Sequence, residues 1–125
     1  MNKTVLVVDD SAMMRNVVLR LLKQAKIEFE SVLEAGDGNE ALKILRSNDV
    51  SLIMCDINMP NMSGIELLKA IKEEKLAVGV PIVMVTTETS EPQVRQAILY
   101  GARGYLKKPF TVDHIVNSVW PLLAT

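Results

Sequence analysis

Five times along this chain, an apolar run of strand length gives way to a short polar break and then to a stretch with helical periodicity. The strand-like runs are Thr4 to Val8, a weaker Ser31 to Ala35, Val50 to Cys55, Val80 to Val85, and the short Gly104 to Leu106. Most are continuous β-branched and aliphatic runs rather than alternating ones, as in strands covered on both faces. The helical stripes are Met14, Val17, Val18, Leu21 and Leu22; Ala41, Leu42 and Leu45; Leu67, Leu68 and Ile71; Val94, Ala97, Ile98 and Gly101; and Val112, Ile115, Val116 and Val119. Strict strand–helix alternation predicts an α/β fold: a parallel sheet with helices on both faces and right-handed crossovers. Ser11 and Thr111 are placed to cap the first and last helices, Pro92 suits a first turn, and Gly36 to Asn39 reads as a turn. Pro121 is expected to stop or kink the last helix.

The 125 residues match one domain, residues 1–125, with no linker, low-complexity tract or repeat dividing them. Fourteen Lys and Arg against 15 Asp and Glu give a formal charge of −1, which supplies no basic excess for nucleic-acid binding. The single Cys55 rules out an internal disulfide and fits a reducing compartment. No apolar run reaches the ~20 residues of a membrane span, and Met1 to Thr4 leads straight into a strand rather than a signal peptide, so a cytoplasmic location is expected.

The chemistry gathers where the strand runs end: Asp9-Asp10, Asp56, Thr86-Thr87 and Lys107-Lys108-Pro109. In a parallel α/β sheet, ligands bind outside the carboxyl ends of the strands. Taken singly, each residue has a plainer role. Asp9-Asp10-Ser11 can be a helix cap, Asp56 and Thr86 turn residues, and Lys108 a solvated cation. Together they form a specific set. Three crowded carboxylates oppose one another's ionisation unless a cation neutralises them, and an all-oxygen donor set suits a hard cation, most simply Mg²⁺. With Lys108 and the Thr86 hydroxyl, they make a cradle for a phosphoryl group carried on Asp56.

The chain resembles the receiver domain of two-component response regulators, most closely the stand-alone chemotaxis type, CheY-like. The resemblance runs from Val5 to about Val119. It is carried by Asp9-Asp10, by Asp56 with Asn58-Met59-Pro60 and Gly64, by Thr86, and by Tyr105 with Lys108-Pro109-Phe110. It implies a (βα)5 doubly wound, flavodoxin-like fold with strand order 2-1-3-4-5, an order that alternation alone does not supply. It also implies that Asp56 accepts a phosphoryl group from a CheA-like histidine kinase. Asp10 and Asp56 would ligate Mg²⁺ directly, Asp9 through water, and Asn58 through its backbone carbonyl. Lys108 would hold the phosphoryl oxygens, with a cis bond to Pro109 expected and Lys107 facing away. Thr86 and Tyr105 would switch the face built by helix 4, strand 5 and helix 5, which would then contact a target such as a flagellar motor switch protein, with a phosphatase as a further partner. Asn58 and Glu88, two positions beyond Asp56 and Thr86, match the types found in fast-resetting regulators. Such a protein is a phosphoacceptor that assists its own phosphorylation and dephosphorylation rather than an enzyme.

Two departures bear on the output surface. The stretch Asp113 to Leu123 contains no Lys or Arg, and Trp120 lies off the apolar stripe. Trp120, Leu122 and Leu123 mark either a partner surface or tail packing. His114 reads as an exposed helix residue and Cys55 as core. No output domain follows Thr125, so output by protein contact is expected; a phosphorelay intermediate and a receiver cut from a longer regulator are the alternatives. An FMN carrier of similar strand order would need a Ser/Thr/Gly-rich phosphate loop where Asp9-Asp10 stands. An Asp-nucleophile hydrolase would need a second carboxylate near Asp56, where position 58 is Asn.

Overall fold

The computed structural model describes residues 3–87 and 90–123. The elements alternate as the sequence predicts: β1 (Thr4–Val8), α1 (Ala12–Gln24), β2 (Ser31–Ala35), α2 (Gly38–Ser47), β3 (Leu52–Cys55), α3 (Gly64–Glu73), β4 (Ile82–Thr86), α4 (Glu91–Leu99), β5 (Gly104–Lys107) and α5 (Val112–Leu123). The five strands form one parallel sheet in the order β2-β1-β3-β4-β5. The chain therefore reverses its direction of travel between β1 and β3. This is the switch point at which such sheets open a crevice beyond their strand tips.

Strand side chains alternate between two cores. Leu6, Val8, Ile53, Cys55, Ile82 and Met84 meet the buried faces of α2, α3 and α4. Val5, Val7, Leu52, Met54, Val83 and Val85 meet α1 and α5 through Val18, Leu22, Ile115 and Val119. Every side chain of central β3 is buried, whereas only Ala35 is buried on edge strand β2. Burying one Leu or Ile contributes about 1.5–3 kcal/mol, so β3 is the best-anchored support for whatever its tip carries.

Caps fix where the helices begin. Ser11 accepts from the Met14 amide, Asp37 from Glu40, and Thr111 from His114. Ser63 and Glu66 form a reciprocal capping box at α3. Each cap is worth about 1 kcal/mol. His114 is exposed, as expected, and returns the bond by accepting from the Thr111 amide.

Three local expectations are corrected. Gly38 and Asn39 belong to α2 rather than to a turn, because Asp37 caps the helix ahead of them. On α4 only Ala97 is buried; Ile98 is 63% exposed, and Gly101 lies beyond the helix with φ of 107°. The small Ala97 alone seats against the core, and Ile98 is turned one position away from it. Of the two outcomes expected at Pro121, the stop is ruled out, since α5 continues to Leu123 with Pro121 inside it. Proline lacks an N–H, but in a final turn little of the hydrogen-bond ladder depends on it. Leu122 and Leu123 are half-buried against the α1–α5 core, so that end packs as a tail, while Trp120 stays 40% exposed.

Candidate functional site

The tips of β1 and β3 lie side by side, because Val8 pairs with Cys55 in the parallel register. The next residues are Asp9 and Asp56, and the Asp56 amide continues the ladder by donating to the Val8 carbonyl at 3.0 Å. Both aspartates are buried, and Asp10 is exposed beside them. One carboxylate oxygen from each of Asp9, Asp10 and Asp56 lies within 4.8 Å of the others. This is a set of hard oxygen donors with one open side, which fits a small divalent cation that keeps waters and accepts a further oxygen from a ligand. No His or Cys enters the group, which argues against a softer metal.

Lys108 spans the pair. Its ammonium donates to Asp9 Oδ2 at 2.8 Å and to Asp56 Oδ2 at 3.3 Å. It arrives from the loop after β5, passing over the end of β4, and its own amide donates to the Thr86 carbonyl at 2.8 Å. The bond from Lys108 to Pro109 is cis, as expected, and Lys107 is exposed. Partial burial alone would lower the Lys108 pKa. The hydrogen bond to Asp9 and the charges of Asp56 and Asp9 outweigh it, and the group is held above the ordinary lysine value.

Thr86 ends β4 fully buried. It shares strand parity with Ile82 and Met84, so it belongs to the α2–α3–α4 side of the sheet. Tyr105 packs on that same side, half-buried, with its hydroxyl oxygen shielded from solvent. The two residues expected to form a switch thus share one face, behind the carboxylates. Cys55 points into that layer as well. Burial, reinforced by the neighbouring Asp56 charge, pushes its thiol pKa far up and keeps it protonated.

The loop after β3 is tightly drawn. The Asn58 amide donates to Asp56 Oδ1 at 3.3 Å, and the Gly64 amide donates to the Ile57 carbonyl at 2.7 Å. A Cβ at Gly64 would collide with the carbonyl oxygen of Asp56. Glycine is required here by close approach of backbone to backbone, which gives its place in the sequence motif a physical cause.

The structure brings Asp9, Asp10, Asp56 and Lys108 into one cluster, with Thr86 at the adjoining strand tip. Asn58 is exposed beside Asp56, and position 88 lies outside the described residues. One contributor escaped the sequence reading. Arg15, off the apolar stripe of α1, turns back to donate to the Asp9 carbonyl at 2.6 Å and to Glu34 at 2.9 Å. Its spacing of six from Asp9 is the only sequence signal, and it is a weak one.

Comparison with known proteins decides the family. The model of the response regulator receiver domain matches residues 5–120. The chain belongs to the response regulator receiver domain family. It is 40% identical over 121 residues to the Chemotaxis protein CheY homolog of Campylobacter jejuni, covering 96% of this chain and 92% of that one. It is 38% identical over 115 residues to Chemotaxis protein CheY of Pseudomonas aeruginosa, covering 92% and 91%. Among solved structures, the chemotaxis response regulator CheY4 of Vibrio cholerae superposes with a TM-score of 0.84 at 35% identity, over 98% of this chain and all of that one. The chain is thus a CheY-type receiver of two-component signalling, a class that acts as a signalling module rather than as a classical enzyme. Among the described residues, no helix is long and apolar enough to cross a membrane.

Proposed function

We propose that this receiver is a phosphorylation-driven switch in which Asp56 takes a phosphoryl group from a histidine kinase and the chain then signals by protein contact, in chemotaxis. The observation that carries the reading is Lys108 bridging Asp9 and Asp56 beside an exposed Asp10. That arrangement has a nucleophile, a set of carboxylates suited to a cation and a positive charge bridging two of them at one sheet edge. Residues 1–125 act as one receiver domain.

An oxygen of Asp56 attacks the phosphorus of a phosphohistidine; the O–P bond forms as the P–N bond breaks, and the imidazole leaves. Asp10 and Asp56 would hold Mg²⁺, with Asp9 and the Asn58 carbonyl as supporting oxygens. Bound there, Mg²⁺ supplies neutralisation of the carboxylates and of the charge that builds on the phosphoryl oxygens. Lys108 exchanges its carboxylate partners for a phosphoryl oxygen, and Thr86 supplies a hydroxyl to another. Phosphorylation can reshape the α4–β5–α5 face only by binding one of two packings better. Thr86 and Tyr105 are the pair that couples the site to that face, and both lie on the α4 side of the sheet. Hydrolysis of the acyl phosphate resets the switch, with Asn58 and Glu88 tuning its lifetime.

The relatives' names, all chemotaxis proteins, support the chemotaxis setting. In that setting, the family resemblance implies a CheA-like kinase as donor, a flagellar motor switch protein as target and a phosphatase that shortens the signal. The apolar exposure of Ile98, Leu99 and Trp120 on α4 and α5 gives that target a surface to contact. The test is intact-mass measurement after incubation with acetyl phosphate and Mg²⁺, with Asp56→Asn as control. One added phosphoryl on the wild type and none on the variant is the expected result; no label, or equal label on both, overturns the reading.

A further inference from the structure

We propose that Arg15 is a positioning residue for cation binding: it clamps the Asp9–Asp10 peptide so that both carboxylates face one point. The proposal rests on the reading of Asp9, Asp10 and Asp56 as a Mg²⁺ site. Arg15 donates through Nη1 to the Asp9 carbonyl at 2.6 Å and through Nε to Glu34 Oε1 at 2.9 Å. The Asp9 carbonyl and the Asp10 amide belong to one rigid peptide plane. Holding that oxygen therefore orients the plane from which the exposed Asp10 side chain departs.

The rest of the corner is anchored around the Asp9 residue. Its amide donates to Ala35 on β2 at 3.1 Å, its Oδ1 accepts from Ser11 at 2.9 Å, and its Oδ2 accepts from Lys108 at 2.8 Å. Arg15 adds the fixed point on the side toward Asp10, and Glu34 on β2 holds the guanidinium at the required angle. The geometry needs a fork, because one side chain serves a carbonyl and a carboxylate at once; a lysine has no such planar pair of donors. Glu34 also offsets the positive charge that Arg15 brings close to a cation site.

The sign of the effect separates positioning from plain electrostatics. By Coulomb's law alone, removing a positive charge near the carboxylates would tighten binding of a divalent cation. If Arg15 positions the pair, removing it weakens binding instead. Outer-shell partners of metal ligands typically contribute 10–100-fold, so a loss of about tenfold is expected for Arg15→Gln.

The experiment is a Mg²⁺ titration of the full chain followed by amide NMR shifts, alongside thermal melting and acetyl phosphate labelling. Arg15→Gln is expected to bind Mg²⁺ about tenfold more weakly at an unchanged fold. Arg15→Lys, which keeps the charge and the aliphatic stem, is expected to remain weak and is the variant to read if the Gln form melts early. Unchanged or tighter Mg²⁺ binding in a folded Arg15 variant overturns this inference while leaving the proposed function intact. A wild type that binds no Mg²⁺ and takes no label overturns both.

Discussion

Lys108 is closer to Asp9, at 2.8 Å, than to Asp56, at 3.3 Å. In the unmodified chain its charge is shared, and the better contact goes to the residue that is not the proposed phosphoacceptor. Lys108 thereby holds two buried carboxylates together while leaving Asp56 the more loosely held of the pair.

Removing that cation leaves two buried carboxylates facing one another without a compensating charge. Lys108→Ala is expected to lower stability by about 1–2 kcal/mol, less than a fully buried pair would lose because the site opens to solvent. Added Mg²⁺ neutralises the same groups. It should therefore raise the melting temperature of the variant more than that of the wild type. Calorimetry with and without Mg²⁺ checks this, and equal shifts would refute it. The variant should still bind Mg²⁺ yet engage a target poorly when phosphorylated.

The pH dependence follows from the same contacts. Lys108 has a pKa raised above the ordinary value of 10.5 in the folded chain, so the folded state holds its proton more tightly than the unfolded state. Its stabilising contribution is complete below the unfolded pKa and is lost as pH rises through the higher folded one. Urea denaturation at a series of alkaline pH values should show this loss in the wild type and a smaller one in Lys108→Met.

Gly64 should not tolerate a methyl group. The added Cβ meets the Asp56 carbonyl oxygen, and backbone cannot give way as a flexible side chain would. Gly64→Ala is expected to cost about 1–3 kcal/mol, the usual range for overpacking. Phosphoryl uptake at Asp56 should fall with it, because the shift moves the β3 tip. Urea denaturation and labelling together test the link; full labelling of a destabilised variant would break it.

Asp10 and Asp9 should separate metal binding from folding. Asp10 is exposed, whereas Asp9 is buried against Lys108. Asp10→Asn is expected to weaken Mg²⁺ binding with a stability change within about 0.5 kcal/mol, as for ordinary surface substitutions. Asp9→Asn should affect both. Paired titrations and melting curves on the two variants measure the difference.

Cys55 provides a probe of opening. Buried beside Asp56, with its thiol kept protonated, it should resist iodoacetamide in the native state. Alkylation should follow the rate of unfolding, and rapid modification under native conditions would contradict the packing of β3.

The order of elements, both faces of the sheet and the clustering at one edge were legible in the chain because they follow from local periodicity. A run such as Leu52 to Cys55 can be buried on both sides only as an inner strand, and strand tips in a parallel sheet share an edge. Family resemblance, rather than periodicity, supplied the strand order. What depended on tertiary structure were relationships with no local signature. Lys108 and Asp9 stand 99 positions apart, so their contact exists only because the sheet places β1 and β5 around β3 and β4. Ile98 faces solvent because Ala97 seats α4, a rotation that an apolar stripe leaves undetermined by one position. Arg15 reaches the Asp9 carbonyl because Glu34 on a neighbouring strand aims it. Patterns set by one element's own repeat are written in its residues, while the partner chosen by a long polar side chain is settled only once the elements have packed.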